Sequence, residues 1–167
     1  MEKLSLQNTH VKLLPFDLLS LTQTRIPASS DPITFTRNGV PITRVETLGL
    51  VVSRDLKPDK FLKFFLDDGT GMTPCILWLN HTTSQYFSRR CLSDVRLIAR
   101  MATMLSNRVQ LGVTVRVRGK VASFRGAIQV TVEDVVVERD PYAEILHWVD
   151  CVRLATKCYD AARGRNV

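Results

Sequence analysis

Hydrophobic and polar positions alternate most regularly over residues 60–79, KFLKFFLDDGTGMTPCILWL. Leu62, Phe64 and Leu66 share one parity and Phe61, Lys63 and Phe65 the other, the period of two expected of a strand. Asp67-Asp68-Gly69-Thr70-Gly71 follows, and Asp-Gly between two apolar runs predicts a hairpin turn. Thr73, Cys75, Leu77 and Leu79 then alternate with Met72, Ile76 and Trp78. Pro74 cannot donate to a ladder, so an edge or a bulge is expected there. A hairpin of this size is not stable alone. The rest of the chain must cover it.

Upstream, residues 10–21 carry Val11, Leu13, Leu14, Phe16, Leu18, Leu19 and Leu21, and Pro15 suits the first turn of a short helix. This segment reads equally as a cover for the core or as a partner contact. Residues 23–31 have the composition of a linker. A turn at residues 37–41 launches a long strand over residues 42–55, in which Gly49 predicts a bulge or a strong bend. Residues 56–59 turn the chain into the hairpin.

Downstream the period changes. Ser93-Asp94 can cap a helix whose apolar stripe is Val95, Ile98, Met101, Ala102 and Leu105. Val113, Val115 and Val117 then face one way and Thr114, Arg116 and Arg118 the other. Gly119 interrupts, Val121 resumes, residues 123–127 form a turn, and Ile128, Val130 and Val132 begin a return strand. Asp140 as cap and Pro141 as first helical residue predict a final helix. Its apolar face would be Ile145, Trp148, Val149, Val152, Ala155 and Tyr159, opposite Glu144, His147, Asp150, Arg153 and Lys157. Residues 161–167 form a basic tail.

Three strands, a helix, two strands and an appended C-terminal helix predict a mainly β protein. The layout is that of a five-stranded Greek-key barrel of the oligonucleotide/oligosaccharide-binding (OB) class, with a helix between strands three and four. The chain divides into an N-terminal covering segment and linker (residues 1–37), the OB domain (38–139), the C-terminal helix (140–160) and the tail (161–167).

Composition narrows the function. The hydrophobic fraction of 45% excludes global disorder. The net charge of +7 fits an acidic partner such as nucleic acid, or solubility alone. No apolar run approaches the roughly 18 residues of a membrane span, and the N-terminus lacks a signal-peptide core. Cys75, Cys91, Cys151 and Cys158 show neither paired spacing nor a nearby His, so they read as reduced, mostly buried thiols of an intracellular protein and not as a metal site. His10, His81 and His147 are scattered. Asp67 and Asp68 belong to the turn, no nucleophile motif or phosphate-cradling glycine loop is present, and neither a cofactor nor an enzymatic activity is expected. Arg89 and Arg90 read as ordinary surface.

The runs VETLGLVVS, FLKFFLDDGTGMTPCILWLN, LGVTVRVRGKV and VVVERDP with LHWVDCVRLATKCYD resemble the Stn-type subunit of the CST telomere-capping complex, in its short plant form, over roughly residues 11–160. D-D-G-T-G with C-I-L-W is shared with the middle subunit of replication protein A. The resemblance implies a nuclear, non-enzymatic OB subunit at telomeres. Its partners would be a small Ten-type OB protein, a large multi-OB subunit, G-rich single-stranded telomeric DNA and DNA polymerase alpha-primase. Many members carry winged-helix modules after the OB domain. This chain ends just past Tyr159, so no role of those modules is expected of it.

Single-strand binding by an OB barrel needs aromatic rings for the bases and cations for the backbone. Trp78 resembles the family's DNA-facing Trp; the alternative is a core Trp with its N–H bonded inside. Phe124 and Arg125 are expected at the tip of the last hairpin, a loop that OB folds use for ligand. The family often has a basic residue two places before this aromatic, where Ala122 stands here. Arg116, Arg118 and Lys120 would line a phosphate track or form a solvated strand face. In the replication-protein-A arrangement the C-terminal helix packs on a partner's helix, here through Ile145, Trp148, Val149, Val152 and Tyr159; the alternative is that it folds back on its own barrel.

Overall fold

The computed structural model describes residue 6 and residues 8–25 and 33–160. The basic tail and most of the expected linker lie outside the described residues. Along the chain run β1 (His10–Lys12), α1 (Pro15–Leu19), β2 (Thr22–Thr24), β3 (Thr34–Arg37), β4 (Val40–Pro41), β5 (Arg44–Lys57) and β6 (Phe61–Asp67). β7 (Met72–Trp78), α2 (Leu92–Arg108), β8 (Thr114–Phe124), β9 (Ala127–Val137) and α3 (Ala143–Leu154) follow, with a π-helical turn at Ala155–Tyr159.

The hairpin forms in the register its alternation predicts, from Asp67 opposite Met72 to Phe61 opposite Trp78. Leu62, Phe64, Leu66, Cys75 and Leu77 are buried, so one face of the hairpin is core. Its turn is knotted by carboxylates. Asp67 accepts from the Gly69 N–H at 2.8 Å, and buried Asp68 accepts from the Thr70 N–H at 2.8 Å, the Thr70 hydroxyl at 2.6 Å and the Gly71 N–H at 3.2 Å. These are Asx-type bonds that replace the ladder where the chain reverses. The two glycines are also where other elements touch the turn. A Cβ on Gly69 would stand 3.3 Å from Trp148 Cζ2, and one on Gly71 would stand 3.1 Å from Pro15 Cβ.

β5 pairs antiparallel with β8 over Arg44–Leu50 and with β6 from Leu50 to Lys57. β8 pairs with β9, and β9 meets β7 in parallel at Cys75 and Ile76. The pairings therefore run β5-β6-β7-β9-β8 and back to β5. Pro74 lies just outside the short β7–β9 pairing, the edge position its missing N–H requires. Gly49 sits where β5 passes from one neighbour to the other, and a Cβ there would stand 2.8 Å from the Asp67 carbonyl oxygen. The register shift itself falls at Val52, between Val51 and Ser53, and not at Gly49, where a bulge was expected. Gly49 answers a close approach of backbones and Val52 absorbs the extra residue.

The N-terminal segment is a cover. Val11, Leu13, Leu18 and Leu21 are buried in the same core cluster as the hairpin, each worth about 1.5–3 kcal/mol on burial. β1 lies parallel to β5, with Val11 opposite Val45. β2, β3 and β4 form a separate three-stranded sheet, which sequence alternation over such short strands does not reveal. α2 begins at Leu92, a residue ahead of the expected cap pair, and buries Val95, Ala102 and Ser106. Met101, expected on the buried stripe, is exposed. The short side chains of Ala102 and Ser106 are what meet the strands, so the buried face lies turned away from Met101.

Gly119 marks the tightest backbone contact. A Cβ there would stand 2.1 Å from the Thr131 carbonyl oxygen, at the register shift between β8 and β9. Gly119→Ala is expected to destabilise the fold by about 1–3 kcal/mol, read as a lower urea midpoint at unchanged m-value.

Candidate functional site

The outward parity of β6 and the ends of β7 and β8 converge on an aromatic and cationic cluster. Phe61 lies opposite Trp78 in the register, and their rings meet edge-to-face at 6.0 Å and 81°. Lys63 Nζ lies 5.0 Å from the Phe61 ring centroid and 5.0 Å from that of Phe124. The Arg125 guanidinium lies 5.2 Å from the Phe124 centroid. Trp78 is 41% exposed and Phe124 48% exposed, so neither is a core ring. Phe124 is the last paired residue of β8, opposite Ala127, which leaves Arg125-Gly126 as a two-residue turn. Both have positive φ, 51° and 82°, as the hairpin turn that matches strand twist requires. The Gln23 side-chain amide donates to the Gly126 carbonyl at 3.0 Å and ties this tip to β2. Two exposed rings, Trp78 and Phe124, with half-buried Phe61 between them and two cations alongside, can stack planar π-systems and neutralise anionic linkers. Phe61 and Lys63 were not singled out from the sequence. Their signal was the parity opposite to Leu62, Phe64 and Leu66.

The basic residues of β8 do something else. Glu46 is 2% exposed, and its two oxygens take Arg116 at 2.9 Å and Arg118 at 2.6 Å. Arg116 also holds Glu138 at 3.1 Å, and Lys120 faces Glu133 at 3.6 Å. Each of these three cations on β8 thus has a carboxylate partner. Burial pushes Glu46 up, but the hydrogen bonds and charges of Arg118 and Arg116 outweigh it and hold the carboxyl below its ordinary range.

This network lies against α3. Lys12 bridges Glu46 at 3.9 Å and Asp150 of α3 at 2.8 Å. The face of α3 turned to the rest of its own chain is Ala143, His147 and Cys151, with Tyr159 after the π-turn. His147, expected on the polar side, is 2% exposed. Its Nε2 lies 3.4 Å from Cys151 Sγ. Burial lowers its pKa, as do the nearby Arg116 and Lys12, against Glu46 and Asp68. Two of the expected partner residues make contacts within the chain. Tyr159 is buried beneath the Arg37 guanidinium, and Trp148 packs on the Gly69 turn. The π-turn, closed by the Asp160 N–H on the Ala155 carbonyl at 2.9 Å, is wider than an α-turn and sets Tyr159 back onto the buried face. Ile145, Val149 and Val152 remain exposed, joined by Leu146. Asp140 is a turn anchor and not the helix cap: its side chain accepts from the Tyr142 N–H at 2.9 Å, and the helix begins at Ala143.

Buried Cys75 and Cys151 are inert thiols, with Cys151 pushed up to about 12 by burial. Cys91 is exposed. Among the described residues no three His, Cys, Asp or Glu side chains gather as a metal site, and no helix is long and apolar enough to cross a membrane.

Two solved structures share this fold. A chain of the S. pombe Stn1-Ten1 complex matches with a TM-score of 0.67 and 16% identity, over 93% of this chain and 98% of that one. A chain of a replication protein A heterotrimer bound to single-stranded DNA matches at 0.64 and 16%, over 90% and 98%. These likenesses define the class by fold alone, a mainly β protein of the OB type. No protein-family model matches the chain. CST complex subunit STN1 of Arabidopsis thaliana is 47% identical over 155 residues, covering 93% of this chain and 94% of the relative. CST complex subunit STN1 of Ailuropoda melanoleuca is 29% identical over 157 residues, covering 89% of this chain and 41% of that relative. The chain belongs to the STN1 family of CST-complex subunits.

The buried charges set a pH dependence. The folded chain protonates His147 less readily than the unfolded chain does, so stability is full above about pH 6.5 and declines as pH falls below it. His81, also lowered by burial, acts in the same window. Glu46 adds a separate loss below about pH 4.3. Thermal midpoints measured between pH 7 and 5 are expected to fall less steeply in His147→Gln than in the parent.

Proposed function

We propose that this chain is the OB-barrel subunit of a nuclear CST telomere-capping complex and contacts G-rich single-stranded telomeric DNA through the Phe61, Lys63, Trp78, Phe124 and Arg125 surface. The paired ring β5-β6-β7-β9-β8 is read as the closed Greek-key OB barrel, with α2 between its third and fourth strands. The observation that carries the DNA assignment is the cation-interleaved cluster of exposed Trp78 and Phe124 with half-buried Phe61 on the hairpin and the β8–β9 tip. Stacking on such rings is worth about 1–3 kcal/mol per base. Arg116, Arg118 and Lys120 lie outside this surface, because their charges are matched by Glu46, Glu138 and Glu133.

The second surface is the outward face of α3. Ile145, Leu146, Val149 and Val152 are apolar and exposed while the opposite side of the same helix is seated on the barrel. This face is read as the seat of a small Ten-type OB partner. The large multi-OB subunit and DNA polymerase alpha-primase complete the reading of a complex that protects chromosome ends and supports complementary-strand fill-in. The chain itself is assigned no catalytic step. The neutralised β8 strand favours a second reading, in which the chain chiefly assembles the complex and the DNA affinity resides in its large partner.

Fluorescence anisotropy of a labelled G-rich telomeric single strand separates the two. Direct contact predicts that Trp78→Ala and Phe124→Ala each weaken binding by about 5- to 150-fold. Lys63→Ala should reduce the salt slope by about 0.7. Absence of binding by a folded chain assigns the function to assembly. Co-expression tests the helix face: Val149→Asp with Val152→Asp is expected to abolish co-purification with the Ten-type partner at an unchanged thermal midpoint. Retention of the partner would overturn that assignment.

A further inference from the structure

The connection between β7 and α2 carries a second group of rings that the hairpin surface does not include. Tyr86 is 74% exposed, and its ring stands edge-on to Phe87 at 4.9 Å and 86°. Phe87 in turn leans on the His81 ring at 5.3 Å. The Arg90 guanidinium lies 5.9 Å from the Tyr86 centroid and 6.0 Å from that of Phe87. The short helical turn Gln85–Phe87 that presents them is capped by Ser84, whose side-chain oxygen accepts from the Tyr86 N–H at 3.3 Å. Tyr86 is thus a ring held in place with one face in solvent and a cation beside it, although Arg90 read as ordinary surface in the sequence.

Placement and charge connect it to the first surface. His81 follows Trp78 by three residues, so their Cα atoms stand at most about 11 Å apart. Between Asp68 and Asp94 the chain has no carboxylate side chain, while Arg89 and Arg90 lie within that span. A polyanion leaving the Trp78 ring in this direction meets two cations and no acidic side chain from that stretch. A rigid exposed aromatic, an adjacent guanidinium and a carboxylate-free stretch are what a single strand needs for a further stacked base and its phosphate.

We propose that Tyr86, supported by Phe87 and Arg90, is a second base-stacking site for single-stranded nucleic acid, engaged by strands long enough to pass beyond Trp78. The inference rests on the reading of the hairpin cluster as a nucleic-acid surface. The site takes a nucleobase on the Tyr86 ring and a phosphate on Arg90.

The test uses the full chain and labelled G-rich telomeric single strands of about 6 and about 16 nucleotides. Tyr86→Ala is expected to weaken the longer strand about tenfold or more and to leave the shorter one unchanged. Tyr86→Phe should restore the affinity, and Arg90→Ala should lower both the affinity for the longer strand and its salt slope. Thermal midpoints control for folding. Equal binding of the longer strand by parent and Tyr86→Ala overturns the second site and leaves the Trp78 surface standing. Equal weakening of both strands makes Tyr86 part of the first surface and also overturns it. Failure of the parent to bind either strand removes both readings.

Discussion

A buried carboxylate holds together the elements that decide what this protein can present. Glu46 faces outward from β5, yet it is almost wholly removed from water. An ionised carboxylate in such a place is tolerated only with partners of good geometry. Arg116 and Arg118 reach it from β8, and Lys12 reaches it from β1 and continues to Asp150 on α3. One acid thereby joins β5 and β8, the N-terminal cover and the C-terminal helix. Removing it would leave two guanidinium groups and an ammonium short of their counter-charge beside buried His147.

The seat of α3 follows from this arrangement. The small side chains of Ala143 and Cys151 and the buried imidazole of His147 let the helix lie close to the strands. Trp148 closes one flank on the Asp-Gly turn, and Tyr159 closes the end under Arg37, whose guanidinium also reaches Asp160 at 2.8 Å. Once that side is committed, Ile145, Leu146, Val149 and Val152 have no place but the outside. One strand, β8, separates the two surfaces. Arg116 at one end of β8 serves the helix and Phe124 at the other serves the aromatic cluster, eight residues or roughly 26 Å along the strand.

The aromatic surface owes its form to backbone geometry. Phe61 and Trp78 are opposite in the ladder, Lys63 is two residues along on the same face, and the positive-φ Arg125-Gly126 turn brings Phe124 back over Lys63. None of these side chains is needed to fill the core, which Leu62, Phe64, Leu66 and Leu77 already occupy. Trp78 and Phe124 are exposed and Phe61 and Lys63 half-buried, so this face stays open to contact.

The sequence by itself determined the strands and their faces. A period of two is a local property, so the hairpin register and the parity that sets Phe61 and Lys63 opposite Leu62, Phe64 and Leu66 were contained in residue order. It also carried the family, because the D-D-G-T-G turn and the HWVDCVRLATKCYD helix are contiguous. Only the tertiary structure decided which stripe of α3 faces home. Apolar residues occur nearly all round that helix, and a π-turn changes the angular step before Tyr159, so periodicity could not choose. It also decided that Arg116 and Arg118 are spent on Glu46, since the pairing of residues 70 and 72 positions apart depends on how the strands close.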